Sequence, residues 1–186
     1  MGRLFWLITA LFLSAVVHIG YVLFVPNLAF ERQLSSISKD GSENRFVLLD
    51  PALQGRLVLG ASPNDIVGLC KFDLSNGKVN LNADIPSTYW TLTVYDLSGQ
   101  QVYALNDAQA GAQQFTVDFA KAKSITQQLF GKGDPEDGLV GDNLGWHAEV
   151  NGDKGLAILW VPLSDPLFRP GIAEKLSKTK CGLATP

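Results

Sequence analysis

The chain has 186 residues, of which 46% are hydrophobic, and it carries a formal net charge of −3. This acidic balance argues against a nucleic-acid-binding surface, which is normally basic, and the regular alternation of apolar and polar residues argues against disorder. We therefore predict a folded protein with no nucleic-acid partner.

The N-terminal segment has the length and composition of a membrane-spanning helix. No Asp, Glu, Lys or Arg lies between Leu4 and Val25. A bilayer core needs about 20 helical residues, whereas the apolar core of a secretory signal peptide usually has about 7–15. We therefore predict a retained transmembrane anchor over residues 1–26, which contacts membrane lipid through residues 4–25.

Two ionisable residues bear on the orientation and role of this anchor. Arg3 precedes the span, and the positive-inside tendency then predicts a cytoplasmic N-terminus with the remainder of the chain outside. His18 lies within the span, where ionisable groups are often functional. The other interpretation of His18 is a neutral imidazole that faces a partner helix or a water near the headgroups, and we favour it over a proton or metal site.

The rest of the chain divides into a tether and one domain. Residues 27–44 are polar and serine-containing, which predicts a juxtamembrane tether. About 160 residues remain without the anchor, enough for one domain with its own core, and we place it at 45–186. Short apolar runs between turn residues predict a β-rich domain, with strands at 45–49, 56–59, 66–74, 79–85, 89–96, 101–106, 114–119, 146–150 and 156–161.

Glycine-containing turns separate several of these runs. Asparagine and glycine tolerate the positive φ angles of tight hairpin turns. Hairpins are therefore predicted at Asn76-Gly77, at Asn151-Gly152, and at Ser98-Gly99 within residues 89–107.

The aromatic residues of segment 89–107 allow two interpretations. Trp90 falls on the side predicted to be buried, where it would anchor a core between two sheets. Tyr89, Tyr95 and Tyr103 are a candidate binding face that stacks on sugar or peptide. We favour the structural alternative, in which the tyrosines pack across neighbouring strands.

Two helices are predicted in the C-terminal third. The first begins at Ser124 with a capping box and ends at Gly131. The second covers residues 170–180 and places Phe168, Ile172 and Leu176 on one apolar stripe that packs on the sheet.

The two cysteines, Cys70 and Cys181, both fall on the predicted outer side of the membrane. An oxidising compartment favours a disulfide between them. Closing a loop of about 110 residues would contribute about 4–5 kcal/mol in the chain-entropy model.

Candidates for chemistry are few. His147 and Glu149 would share one strand face as an acid/base pair, although alternating polar residues on a wet face predict the same pattern. The acidic loop at 134–142 offers oxygen ligands but lacks the spacing of an EF-hand. We predict no catalytic residue, no metal site and no cofactor, since no nucleophile elbow, phosphate-binding loop or dinucleotide fingerprint occurs.

Residues 70–107 carry a family resemblance. The matching features are the run from Cys70 to Ser75 with Gly77, the pair Tyr89-Trp90, the run Val94-Tyr95-Asp96 with Gly99, and Tyr103 to Asn106-Asp107. This segment resembles the core of the small bacterial membrane proteins grouped as domain-of-unknown-function family 1254, and the resemblance extends to the single N-terminal anchor and to a terminal helix that ends in a cysteine, here Cys181.

The resemblance implies a β-sandwich-like domain on the outer face of the inner membrane, with no established activity. It implies structural rather than catalytic roles for Cys70, Trp90, Asp96, Gly99 and Asn106. Larger relatives join this domain to a second β-domain that this chain lacks.

Three functions follow as hypotheses. The first is a single-pass bacterial inner-membrane protein whose periplasmic β-sandwich is a binding or assembly module of the cell envelope, with an envelope protein or membrane complex as partner. The second is an envelope hydrolase or carbohydrate-active enzyme that uses His147 and Glu149. The third is a small accessory subunit that acts mainly through its anchor in a larger membrane complex.

Overall fold

A computed structural model describes residues 2–37, 43–58, 60–86, 89–122 and 145–184. The chain divides into two compact units, one that contains the N-terminal helix and one that contains the β-rich domain. The predicted helix from Ser124 to Gly131 and the acidic loop at 134–142 lie outside the described residues.

Helix α1 runs from Gly2–Ile37 without interruption. Its segment Gly2–Val25 has a mean hydropathy of 2.2, and its apolar side chains are exposed. This segment is long and apolar enough to cross a membrane, a property that signal sequences share. The helix also extends through the first part of the predicted tether, to Ile37.

Among the described residues, the β-rich domain contains nine strands and three short α-helices. The strands are β1 (Arg45–Leu48), β2 (Ile66–Asp73), β3 (Val79–Asp84), β4 (Thr91–Asp96), β5 (Gln101–Asn106), β6 (Gln114–Lys121), β7 (Gly145–Val150), β8 (Lys154–Val161) and β9 (Lys180–Leu183). The helices are α2 (Pro51–Leu57) and α3 (Asp107–Ala110), and a third, α4 (Arg169–Leu176), precedes β9.

Two sheets pack face to face as a sandwich. The first has the strand order β1-β2-β8-β4-β5 and is antiparallel throughout. The second has the order β7-β6-β3-β9, in which β7 runs parallel to β6. The predicted β-sandwich-like class is therefore confirmed, but one of its two sheets is mixed rather than antiparallel.

Alternating apolar residues from both sheets form one core. Trp90, just before β4, stacks on Phe115 of β6 with ring centroids 4.3 Å apart. Phe72 of β2 stacks on Phe119 of β6 at 4.5 Å. Both pairs join residues of different sheets, and such pairs add to the free energy of area burial. The prediction that Trp90 anchors a sheet-to-sheet core is confirmed.

Two of the three predicted hairpins are wrong. Ser98-Gly99 does connect paired strands, β4 and β5. Asn76-Gly77 instead connects β2 to β3, and Asn151-Gly152 connects β7 to β8, in each case between different sheets. Gly77 and Gly152 have the expected positive φ angles of 131° and 99°. The turn chemistry reverses the chain, but it does not determine whether the flanking strands pair.

The strand predicted at 56–59 is also wrong, because helix α2 continues to Leu57 and covers its first two residues. The Asp50 carboxylate caps this helix by accepting a hydrogen bond from the Ala52 amide at 2.8 Å. Pro51 fits the first turn, where its missing N–H costs nothing. Gln54 is fully buried on this helix and donates to the Leu49 carbonyl.

The C-terminal segment is a shorter helix followed by a strand. Helix α4 ends at Leu176, and residues 180–183 form β9 rather than the predicted end of the helix. Leu176 is buried as predicted, but Phe168 is exposed. Strand β9 brings Cys181 beside Cys70 of β2 as a disulfide, with Cα atoms 6.3 Å apart. The predicted cysteine pair is confirmed, and it joins the two sheets.

Candidate binding groove

Strand β4 has one buried and one partly open face. Leu92 and Val94 point into the core, while Thr91, Thr93 and Tyr95 alternate with them on the outer face of the five-stranded sheet. Because side chains alternate between sheet faces, this outer row is fixed once the inner row is buried.

Neighbouring strands extend this outer row into a floor three strands wide. Thr91 lies between Trp160 of β8 and Asn106 of β5, and Thr93 lies between Ile158 and Ala104. Directly opposite residues share a face. The floor therefore combines one indole, aliphatic groups, two hydroxyls and one amide.

The floor and its walls enclose a groove of about 470 Å³. Val58, which follows α2, and Gln109 of α3 contribute to its walls. The Asn106 side chain accepts from the Gln109 amide at 2.8 Å, and the Gln109 side chain accepts from the Asn106 amide. This reciprocal capping holds Gln109 beside the floor.

Trp160 is held by a buried carboxylate. Its Nε1 donates to Asp65 Oδ2 at 3.0 Å, and Asp65 also accepts from the Ser62 and Leu163 amides at 2.8 and 3.1 Å. Asp65 is only 5% exposed. Because the carboxylate is fixed by two backbone amides, it fixes the indole orientation in turn.

The lining of the groove that the structure describes is uncharged. None of the described lining residues is Asp, Glu, Lys or Arg. A ligand that matches this surface is uncharged and offers both apolar area and hydrogen-bonding groups.

The structure separates the three tyrosines of the candidate binding face. Tyr95 lines the groove, whereas Tyr89 does not. Tyr89 is 70% exposed. Tyr103 lies opposite Val94 and packs against the core, on the other side of the sheet from Tyr95. Burial raises the pKa of Tyr103. The three do not form one face, because β5 pairs in a register that turns Tyr103 inward.

His147 and Glu149 do share an exposed strand face, on β7. The His147 side chain is 73% exposed, and its Nδ1 lies 3.6 Å from Asp118 Oδ2 on β6. Neither residue lines the groove. The placement matches the alternating wet face that was the other interpretation of this pair.

Charged side chains concentrate instead where β2 and β8 meet residue 43. Lys154 Nζ lies 2.9 Å from Glu43 Oε1 and 3.1 Å from Asp73 Oδ2. Hydrogen bonds from Ser75, followed by the Lys154 ammonium, lower the pKa of Asp73 to about 2. Hydrogen bonds to Glu43 and Asp73 raise the pKa of Lys154. This cluster ties the start of the domain to the sheet.

In the part of the chain that the structure describes, no three His, Cys, Asp or Glu side chains lie close enough together to hold a metal ion.

The sequence interpretation missed Trp160. The alternation in 156–161 places Ile158 and Trp160 on one face, but nothing local indicates that β4 lies beside them.

No protein-family model and no curated protein matches the sequence. Among solved structures, the VPA0106 protein from Vibrio parahaemolyticus is similar with a TM-score of 0.63 at 11% identity, over 88% of this chain and 36% of that one. A putative uncharacterized protein from Burkholderia cenocepacia has a TM-score of 0.49 at 16% identity, over 74% of this chain and 36% of that one. This chain thus spans about a third of either neighbour, and the first likeness supports the fold alone.

Proposed function

We propose that this chain is a single-pass bacterial inner-membrane protein whose periplasmic β-sandwich is a ligand-binding module of the cell envelope. Residues 4–25 contact lipid, the N-terminus is cytoplasmic, and the domain from residue 45 onward is periplasmic. The exposed apolar segment Gly2–Val25 supports the anchor, and the disulfide between Cys70 and Cys181 supports an oxidising compartment.

Kinship with domain-of-unknown-function family 1254 is part of the same proposal. The sandwich and the cysteine pair agree with what that resemblance implies. The 36% coverage of the larger Vibrio chain also agrees with relatives that carry additional domains.

The groove on the five-stranded sheet carries the binding part of the proposal. Tyr95 lies four residues along β4 from Thr91, the residue opposite Trp160. At about 3.3 Å per residue, the two aromatic positions are about 13 Å apart along the strand. An aromatic ring offers a flat apolar surface with a polar edge. We therefore assign the groove to a neutral glycan of two or three sugar rings, whose apolar faces stack at the two ends.

Thr91 and Thr93 lie between the two aromatic positions. Their hydroxyl groups can both donate and accept, which suits the hydroxyl groups of a sugar. The described lining residues offer a charged glycan no counter-ion, and transfer of an unpaired charge from water is costly. The assignment is therefore to neutral sugars and not to acidic ones.

Two matched substitutions test the groove. Thr93→Arg fills its floor, and Thr116→Arg places the same side chain on the outer face of the other sheet, on β6. Both threonines are half-buried on interior strands. The full-length protein in detergent micelles is screened for binding to immobilised neutral envelope glycans. We expect Thr93→Arg to abolish binding and Thr116→Arg to retain it.

Two results would refute the assignment. One is the absence of saturable glycan binding by the unsubstituted protein. The other is equal loss in Thr93→Arg and Thr116→Arg, which would indicate a general effect on the fold. Circular dichroism of both variants provides the control for folding.

A further inference from the structure

A second cavity, of about 730 Å³, lies along the β9 edge of the four-stranded sheet and shares no lining residue with the groove. Its lining extends across β3 and β9 to the first residues of β1. The polar side chains that the argument uses are Arg45, Asn80, Asn82, Lys178, Thr179 and Lys180.

The lining of this cavity is positively charged. Its described lining residues include three basic side chains and no acidic one. Lys178 Nζ lies 3.7 Å from Glu174 Oε1. Arg45 and Lys180, in contrast, form no salt bridge with any described residue. On the same sheet face, Asp118 lies opposite Asn80 and pairs with His147, and Asp84 lies two residues along β3 from Asn82, but neither carboxylate lines the cavity. The cavity therefore attracts anions.

Gly182 keeps the floor of the cavity open. It lies opposite Asn80 in the β3–β9 pair. A Cβ at this position would meet no atom within 4 Å. The missing side chain leaves space between the Asn80 and Lys180 side chains, where a ligand oxygen can approach backbone and amide groups.

Thr179 lies in the wall and has a buried hydroxyl. The residue is 9% exposed, and its Oγ1 is buried with no hydrogen-bond partner in the described part of the protein. Leaving such a group unsatisfied costs about 1–3 kcal/mol, so native structures usually provide a partner. Because the Oγ1 is closed to solvent, a ligand in the cavity does not reach it, and other atoms of Thr179 form the wall.

We propose that this cavity is a binding site for a phosphate ester. Arg45 supplies a planar donor fork that suits phosphate oxygens, Lys180 supplies a second cation, and the Asn80 side-chain amide supplies a further hydrogen-bond donor. The same group could belong to a lipid headgroup or to a soluble phosphorylated molecule. The chemistry of the site is shared by both sources, and the experiment separates them.

The test uses the full-length chain in nanodiscs of zwitterionic lipid. In one arm, glycerol 3-phosphate is titrated and followed by calorimetry. In the other, phosphatidylglycerol is added to the nanodiscs, and its retention on the protein is measured by native mass spectrometry. We expect saturable binding in at least one arm, and that arm identifies the source.

Charge-loss variants locate the site. The double variant Arg45→Gln/Lys180→Gln should weaken binding at least tenfold, because it removes the two lining cations that form no salt bridge with a described residue. Lys175→Gln removes an exposed cation that does not line the cavity, and it should change the affinity by less than twofold. Absence of saturable binding in both arms, or equal weakening in these variants, would overturn the proposal.

Two further variants distinguish binding from folding. Gly182→Asp places a carboxylate in the open floor, where its Cβ has space, so we expect a folded protein without phosphate binding. Thr179→Val removes a hydroxyl that is closed to the cavity, so it should change the affinity by less than twofold while leaving the melting temperature unchanged or higher. Binding that survives Gly182→Asp at the original affinity would show that the phosphate lies elsewhere.

Discussion

Gly155 of β8 lies directly beneath the ring of Phe72 of β2. A Cβ at Gly155 would come within 2.4 Å of Phe72 Cζ and 2.7 Å of the Tyr95 carbonyl oxygen. The carbonyl belongs to the backbone of β4, and Phe72 is itself stacked on Phe119. Movement of Phe72 would disturb its stacking between the two sheets, and movement of the Tyr95 carbonyl would disturb the pairing of β4 with β8.

Gly155→Ala should therefore destabilise the domain by about 2–3 kcal/mol, toward the upper end of the roughly 1–3 kcal/mol that overpacking a core costs. Gly171→Ala is the matched control, since its Cβ in helix α4 meets nothing within 4 Å and alanine favours a helix by about 0.5–1 kcal/mol. Thermal unfolding in micelles would measure both. A Gly155→Ala protein as stable as Gly171→Ala would contradict the observed packing.

The carboxylate of Asp65 should prove essential for the shape of the groove. Asp65→Ala leaves the Ser62 and Leu163 amides and the Trp160 indole without their acceptor. We expect a loss of about 2–4 kcal/mol of stability, since hydrogen bonds to charged groups contribute about 1.5–3 kcal/mol each and are not additive. Chemical denaturation is the measurement.

Trp160→Phe is the companion variant to Asp65→Ala. It removes one donor but leaves Asp65 bound to its two backbone amides. We expect a smaller loss, of about 1 kcal/mol. If Trp160→Phe were as damaging as Asp65→Ala, the carboxylate would serve the indole alone and not the backbone.

The ion cluster at Asp73 should make the free energy of unfolding depend on pH. The folded pKa of Asp73, about 2, lies below the usual value near 3.9. Its contribution is therefore fully present above the unfolded pKa and is lost as the pH falls from about 5 toward 2. Asp73→Asn retains an acceptor for the Ser75 amide but cannot titrate. Unfolding measured from pH 2 to 6 should be flatter in this variant, and an unchanged slope would contradict the assignment.

Local sequence patterns predicted the strand faces well but not the strand neighbours. The alternation around Leu92 and Val94 was sufficient to identify the core face of β4. By contrast, Asn76-Gly77 and Asn151-Gly152 produced turns whose flanking strands lie in different sheets. A glycine at positive φ determines a local reversal, whereas strand pairing depends on contacts distant in the sequence.

The candidate groove could be predicted only in part for the same reason. Tyr95 was identified because it lies on the outer face of its own strand. Trp160 was missed, since its neighbour Thr91 is far away in the sequence and pairs with it only in the folded sheet. Tyr103 was misplaced because the register of β5 turns it toward the core.

The location of the domain is tested most directly by the state of Cys70 and Cys181 in native membranes. Both are buried, so the protein must be denatured in the presence of a mass-shifting maleimide, with or without prior reduction. A periplasmic domain predicts no label on the monomer without reductant and two labels after reduction, while Cys181→Ala should take one label in either case. Two labels on the unsubstituted protein without reductant would contradict the account and indicate a domain that faces the cytoplasm.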